Sequence, residues 1–90
     1  MAKIKVIYTG YLIKVRKKQQ ETYTIEEGWT VKDLINRLCT KHNSEFKYTI
    51  FNQKTNKLLV IVLVNGRVAE PDENLMDGDT VTFVFPYSGG

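Results

Sequence analysis

The run Thr30-Val31-Lys32-Asp33-Leu34-Ile35-Asn36-Arg37-Leu38-Cys39 carries the clearest period in the chain. Val31, Leu34, Ile35, Leu38 and Cys39 recur at the i, i+3, i+4, i+7, i+8 spacing that lines one face of an α-helix. Thr30 stands where an N-cap belongs. Asp33 completes a capping-box-like pair, in which each side chain answers a backbone N–H that the first helical turn leaves without a partner. Trp29 is placed to pack on Leu34 as a hydrophobic staple, which fixes the angle of entry. The same period puts Cys39 on the apolar face and predicts a buried, inert thiol. His42 falls near the helix C-terminus, where a partial positive charge is favoured. With no other candidate ligands beside it, it reads as a helix-end residue, not a metal ligand or a catalytic group.

An amphipathic helix needs an apolar layer to lie on, and the flanking sequence supplies strands. Upstream, Lys3 to Tyr8 alternates with Ile4, Val6 and Tyr8 on one face, as a half-buried strand does. Gly10 breaks that pattern, and Tyr11 to Gln20 reads as a long connection with some strand character. Thr22 to Glu26 alternates again, with Tyr23 and Ile25 on one face, and is expected to return antiparallel beside the first strand. Gly28 then opens a turn. Downstream, Lys47 to Phe51 and Leu58 to Val64 read as two strands of a second hairpin around the polar loop Asn52 to Lys57. Asn65-Gly66 signals a tight turn leading into Arg67-Val68-Ala69. Pro71 to Asn74 is a polar connection, Leu75 and Met76 a small apolar plug, and Asp77-Gly78-Asp79 the turn into a last strand, Thr80 to Phe85. In that strand Val81, Phe83 and Phe85 face one way and Thr80, Thr82 and Val84 the other. One helix against a mixed sheet is an α+β layer architecture.

Ninety residues make one domain with a single modest core. The net charge of +3 is unevenly placed. Lys3, Lys5, Lys14, Arg16, Lys17 and Lys18 precede any acid, and Glu70, Asp72, Glu73, Asp77 and Asp79 crowd a later segment. A basic N-terminal third could touch nucleic acid, but such charges read first as the solvated face of a hairpin. The single cysteine cannot form a disulfide within the chain. The longest apolar run, Leu58 to Val64, is too short to span a bilayer. These features predict a cytoplasmic protein without a membrane or nucleic-acid partner.

The last eight residues, Phe83-Val84-Phe85-Pro86-Tyr87-Ser88-Gly89-Gly90, say most about function. Pro86 has no N–H to extend a ladder, so it stops the strand. The domain is expected over residues 1–85, with 86–90 a flexible diglycine tail. Glycine lets a backbone lie against a wall that would reject a side chain, so Gly89 and Gly90 suit a narrow partner site. A frayed terminus is the plain alternative. Elsewhere no catalytic set is evident, since Ser88 has no base and the only histidine lies on another element.

With these elements in order, the chain resembles the ubiquitin-like β-grasp sulfur carriers of the MoaD/ThiS family. The likeness is to the small subunit of molybdopterin synthase and to small modifier proteins of archaea and bacteria. It rests on the alternating first strand, Gly28-Trp29-Thr30-Val31-Lys32-Asp33-Leu34, Val64-Asn65-Gly66, Leu75-Met76-Asp77-Gly78-Asp79 and Pro86-Tyr87-Ser88-Gly89-Gly90. An insertion around Phe46 to Lys57 departs from the shortest carriers. The resemblance implies a β-grasp fold and a carrier that is not itself an enzyme, holds no cofactor or metal, and acts as the small subunit of a synthase such as molybdopterin synthase. It implies that an adenylating enzyme using ATP and Mg activates the Gly90 carboxylate, which sulfur transfer then makes a thiocarboxylate for molybdopterin synthesis. Pro86, Tyr87, Ser88 and Gly89 would enter or line the partner's channel. Some of Leu59, Ile61, Leu63, Val81, Phe83 and Phe85 are expected to form an exposed apolar patch beside the tail. The large subunit of molybdopterin synthase, or an equivalent sulfur acceptor, is the second expected partner. A protein modifier joined to lysines through the same tail and a passive β-grasp binding module remain open.

Overall fold

The structure, a computed structural model, describes residues 1–42 and 44–86. Its strands are β1 (Ala2–Tyr8), β2 (Gln20–Ile25), β3 (Ile61–Val64), β4 (Arg67–Val68) and β5 (Thr80–Val84), and its helices are α1 (Tyr11–Arg16), α2 (Val31–Lys41) and α3 (Ser44–Ile50). The strands form one mixed sheet in the order β2-β1-β5-β3-β4. β1 pairs antiparallel with β2 and parallel with β5, so the first and last strands are central neighbours. β5 also pairs antiparallel with β3. The end of β5 is thus held on both sides, and the chain beyond it starts from a fixed point.

Alternation decides which face is buried. Ala2, Ile4, Val6 and Tyr8 of β1, Val62 and Val64 of β3, and Val81 and Phe83 of β5 all join one core with Val31, Leu34, Ile35 and Leu38 of α2. The capping box is complete: Asp33 N–H donates to Thr30 Oγ1 at 3.2 Å, and Thr30 N–H donates to Asp33 Oδ2 at 2.9 Å. Trp29 is half-buried against the core.

Two stretches differ from their sequence-based expectation. Tyr11 to Arg16 is helical where a strand-like connection was expected, with Leu12 fully buried beneath it. Ser44 to Ile50 is also a helix, although Phe46, Tyr48, Thr49 and Ile50 favour strands. Phe46 and Ile50 are four apart, a spacing that puts them on one face at period 2 and at period 3.6 alike. Tyr48 separates the two readings: a strand would bury it with them, and it is 52% exposed. The expected second hairpin shrinks to a single antiparallel bridge, Phe51 to Leu58, and β3 starts only at Ile61. Met76 is exposed, so Leu75 alone plugs the core.

The turns follow their sequence signals. Asn65 and Gly66 both have positive φ, 53° and 87°, as a two-residue hairpin loop between β3 and β4 requires. Asn65 then ties this turn to β5, donating from Nδ2 to Asp79 Oδ1 at 2.9 Å and accepting at Oδ1 from Thr80 N–H at 3.0 Å. Asp77 Oδ1 accepts from Lys3 N–H at 2.8 Å, fixing the start of β5 beside β1.

α1 is fastened by a polar cluster. Arg16 forks onto Glu21, with Nε to Oε2 at 3.1 Å and Nη2 to Oε1 at 3.0 Å, and Tyr8 Oη donates to Glu21 Oε2 at 2.6 Å. Burial works to raise the Glu21 pKa, but the hydrogen bonds from Tyr8 and Arg16 and the Arg16 charge outweigh it and hold it down to about 2. Tyr23 Oη also reaches Glu21 Oε2, at 3.1 Å, and lies 2.9 Å from His42 Nε2.

Candidate functional site

The root of the tail is built by residues on either side of it. Thr9 Oγ1 donates to the Phe83 carbonyl at 2.7 Å, bonding the end of β1 to β5. Gly10 follows with φ +56° and ψ −134°, a backbone conformation open mainly to glycine, and a Cβ there would lie 3.0 Å from Phe85 Cδ2. Glycine is needed at this position twice, for its backbone angle and for the close approach of the ring. Phe85 is half-buried against the core and Pro86 is exposed. The chain therefore leaves the sheet from an anchored aromatic ring. Tyr87, Ser88, Gly89 and Gly90, all expected in the site, lie outside the described residues.

Alongside the root runs the outer face of the sheet. Cross-strand partners share a face, so the pairs Ile61–Val84, Leu63–Thr82, Leu63–Val68 and Ile7–Thr82 define one continuous strip. Ile61 and Val68 are exposed, at 36% and 67%, while Ile7, Leu63, Thr82 and Val84 are half-buried. The Ile61–Val84 pair is at the C-terminal end of β5, next to Phe85 and Pro86.

This placement corrects the expected patch. Val81 and Phe83 have no exposed surface and belong to the core, because they share the face of β5 that packs on α2. Phe85 serves as the anchor at the tail root. Leu59 and Ile61 are exposed and Leu63 is half-buried on the outer face, while Ile7, Val68, Thr82 and Val84 were overlooked. The alternation of β1 held the signal for Ile7: with Ile4, Val6 and Tyr8 inward, Ile7 must face outward.

The other candidates stay structural. Cys39 is half-buried, and burial raises its thiol pKa. His42 is the C-cap of α2, but burial first and the Arg16 charge second lower its pKa, so the expected positive charge is disfavoured there. Among the described residues no group of three or more His, Cys, Asp or Glu is placed to hold a metal ion. Nor, among them, is any helix long and apolar enough to cross a membrane.

No curated protein matches the sequence closely enough to count as a relative. Solved structures do. Molybdopterin converting factor subunit 1 of Pyrococcus furiosus is 32% identical with a TM-score of 0.82, the match covering 97% of this chain and 100% of that one. Small archaeal modifier protein 1 of Methanosarcina acetivorans is 28% identical with a TM-score of 0.76, covering 100% and 98%. Urm1 of Trypanosoma brucei is 27% identical with a TM-score of 0.75, covering 98% and 95%. These likenesses identify the fold as the ubiquitin-like β-grasp. The ThiS family matches residues 6–90, nearly the whole chain and both terminal glycines, and the chain belongs to that family of ubiquitin-like sulfur carriers.

Proposed function

We propose that this protein is a sulfur carrier whose Gly90 carboxylate is adenylated and then converted to a thiocarboxylate, for use in molybdopterin synthesis toward the molybdenum or tungsten cofactor. The observation that carries the reading is that the family match runs through Gly89 and Gly90. The 32% likeness to molybdopterin converting factor subunit 1 favours this pathway over other uses of sulfur.

A carboxylate is ionised at neutral pH and is a poor electrophile. In the proposed first step a Gly90 oxygen attacks the α-phosphorus of ATP and pyrophosphate leaves, with Mg held by the activating partner. A sulfur nucleophile then attacks the acyl carbon and AMP leaves, so that sulfur replaces one oxygen at the terminus. The chain supplies no catalytic group: it is a carried reagent that works in the cytoplasm. Its own contribution is positional, through the Thr9 and Phe85 anchor and the outer strip offered first to the activating enzyme and then to the large subunit of a synthase.

A second reading keeps the activation and changes the acceptor, joining Gly90 to a lysine. The 28% likeness to a protein named as a modifier favours it. ATP–pyrophosphate exchange with the cognate activating enzyme tests what the two share. Deleting Gly90 leaves a carboxylate of the same pKa class but moves it by up to about 3.3 to 3.6 Å, and even ~1 Å of misplacement can cost about a hundredfold in rate. Exchange is expected to disappear with the fold intact, and normal exchange by the shortened chain at saturating ATP would overturn the proposal.

A further inference from the structure

α2, α3, the loop after α3 and Pro71 line an open cleft of about 670 Å³. Its floor includes Ile35, Phe51 and Leu58, and its rim carries Lys32, Lys47 and Lys57, while no acidic residue lines it. The three lysines come from three separate elements and are all exposed. Among the described residues none of them is ion-paired, although carboxylates elsewhere take Arg16, Lys18 and Arg67. Three like charges converge on an apolar floor with no internal counter-ion, a combination suited to an anionic ligand with an apolar body.

The chemistry of the walls narrows that class. A phosphate would look first to the free N–H groups of the α2 N-terminus. These are taken: Val31 N–H donates to the Glu73 carbonyl, Lys32 N–H to the Pro71 carbonyl and Asp33 N–H to Thr30 Oγ1. The lining contains no arginine, and its one aromatic ring, Phe51, is half-buried, which gives a nucleic acid base little to stack on. Lysine point charges above aliphatic carbon remain, and these complement carboxylates alternating with apolar side chains. The α2 wall from Lys32 to Thr40 is about 12 Å long at 1.5 Å per residue, room for about four residues of extended chain. In such a segment alternate side chains separate, acids toward the rim and apolar groups toward the floor.

We propose that this cleft is a docking site for an acidic, leucine-containing peptide segment of a partner protein. The proposal does not depend on the chemistry of Gly90. Its test is fluorescence anisotropy with the whole protein and a labelled heptapeptide of alternating glutamate and leucine. Replacing Lys32, Lys47 and Lys57 together by glutamate is expected to weaken binding by about tenfold or more, as the loss of three exposed ion pairs implies. A charge-matched control at Lys3, Lys5 and Lys14 should change it far less. Bound peptide should also slow alkylation of Cys39, which lines the cleft and is the only cysteine in the chain. Because the lysines are exposed, thermal melting should show both variants folded. Equal weakening by the two variants, an unprotected Cys39, no peptide binding, or tighter binding at the cleft by oligouridylate, ATP or a second copy of the chain would each overturn the proposal.

Discussion

The two faces of β5 are made of similar residues and do different work. On the inner face Val81 and Phe83 are fully buried under α2, and Tyr8 stacks on the Phe83 ring with centroids 6.4 Å apart. On the outer face Thr82 and Val84 are half-buried and share that face with Ile61, Leu63 and Val68, of which Ile61 and Val68 are exposed. Apolar character alone does not mark a partner surface. Parity relative to the helix separates core from surface, because a one-residue shift exchanges the two.

This contrast can be broken by substitution, and the largest effect is expected inside. Phe83→Ala should cost about 3 to 5 kcal/mol and Leu34→Ala about 2 to 5, as buried large-to-small changes. Equilibrium denaturation measures both, and a loss under about 0.5 kcal/mol at either would mean that the inner face is misassigned. Gly10→Ala comes next. A non-glycine residue held in a sparsely populated backbone region costs about 1 to 3 kcal/mol, and here the new Cβ also presses on Phe85. Its signature should be a lower rate of activation as well as lower stability, since the tail root moves. Smallest in stability is Val84→Asp on the outer face, at under about 1 kcal/mol. It should nevertheless weaken the complex with the activating enzyme by about tenfold or more, as loss of an anchor residue does. Unchanged affinity in a folded Val84→Asp protein would remove the strip from the docking surface.

Acid should act on a third region, the polar cluster that fastens α1. The Glu21 pKa is lowered in the folded state from an ordinary 4.5 to about 2, so its contribution to stability is complete above the ordinary value and fades as pH falls toward about 2. His42 is lowered from 6.5, which also makes stability fall with pH, beginning below the ordinary histidine value. Stability measured from pH 7 to pH 3 should therefore decline in two stages. His42→Gln should remove the upper stage and Glu21→Gln the lower.

Much of the fold was legible because its signals were local and agreed with one another. The period of α2, its capping box, the alternation of β1 and the Asn65-Gly66 turn each pointed to the element observed. α1 and α3 were not legible, for a shared physical reason. Each is short and rich in residues that favour strands, and each is held by partners on other elements: Tyr11 Oη of α1 donates to Glu45 Oε2 at 3.2 Å, while Phe46 packs edge-on against Tyr8 at 6.2 Å. Tertiary contacts overrode propensity in both. For the site, the tail root could be inferred from Pro86, but the need for Gly10 appears only once Phe85 is in place. The patch was missed at Val81 and Phe83 because their parity was assigned without the helix to define the inside.

The central claim is that Gly90 carries sulfur, and the intact mass of the protein isolated from its native cells tests it most directly. The account predicts a fraction of molecules heavier by one oxygen-to-sulfur exchange, localised to Gly90 and lost when the activating enzyme is absent. A free acid in every molecule from cells actively making the cofactor would contradict the account, as would Gly90 found only in isopeptide bonds to lysine.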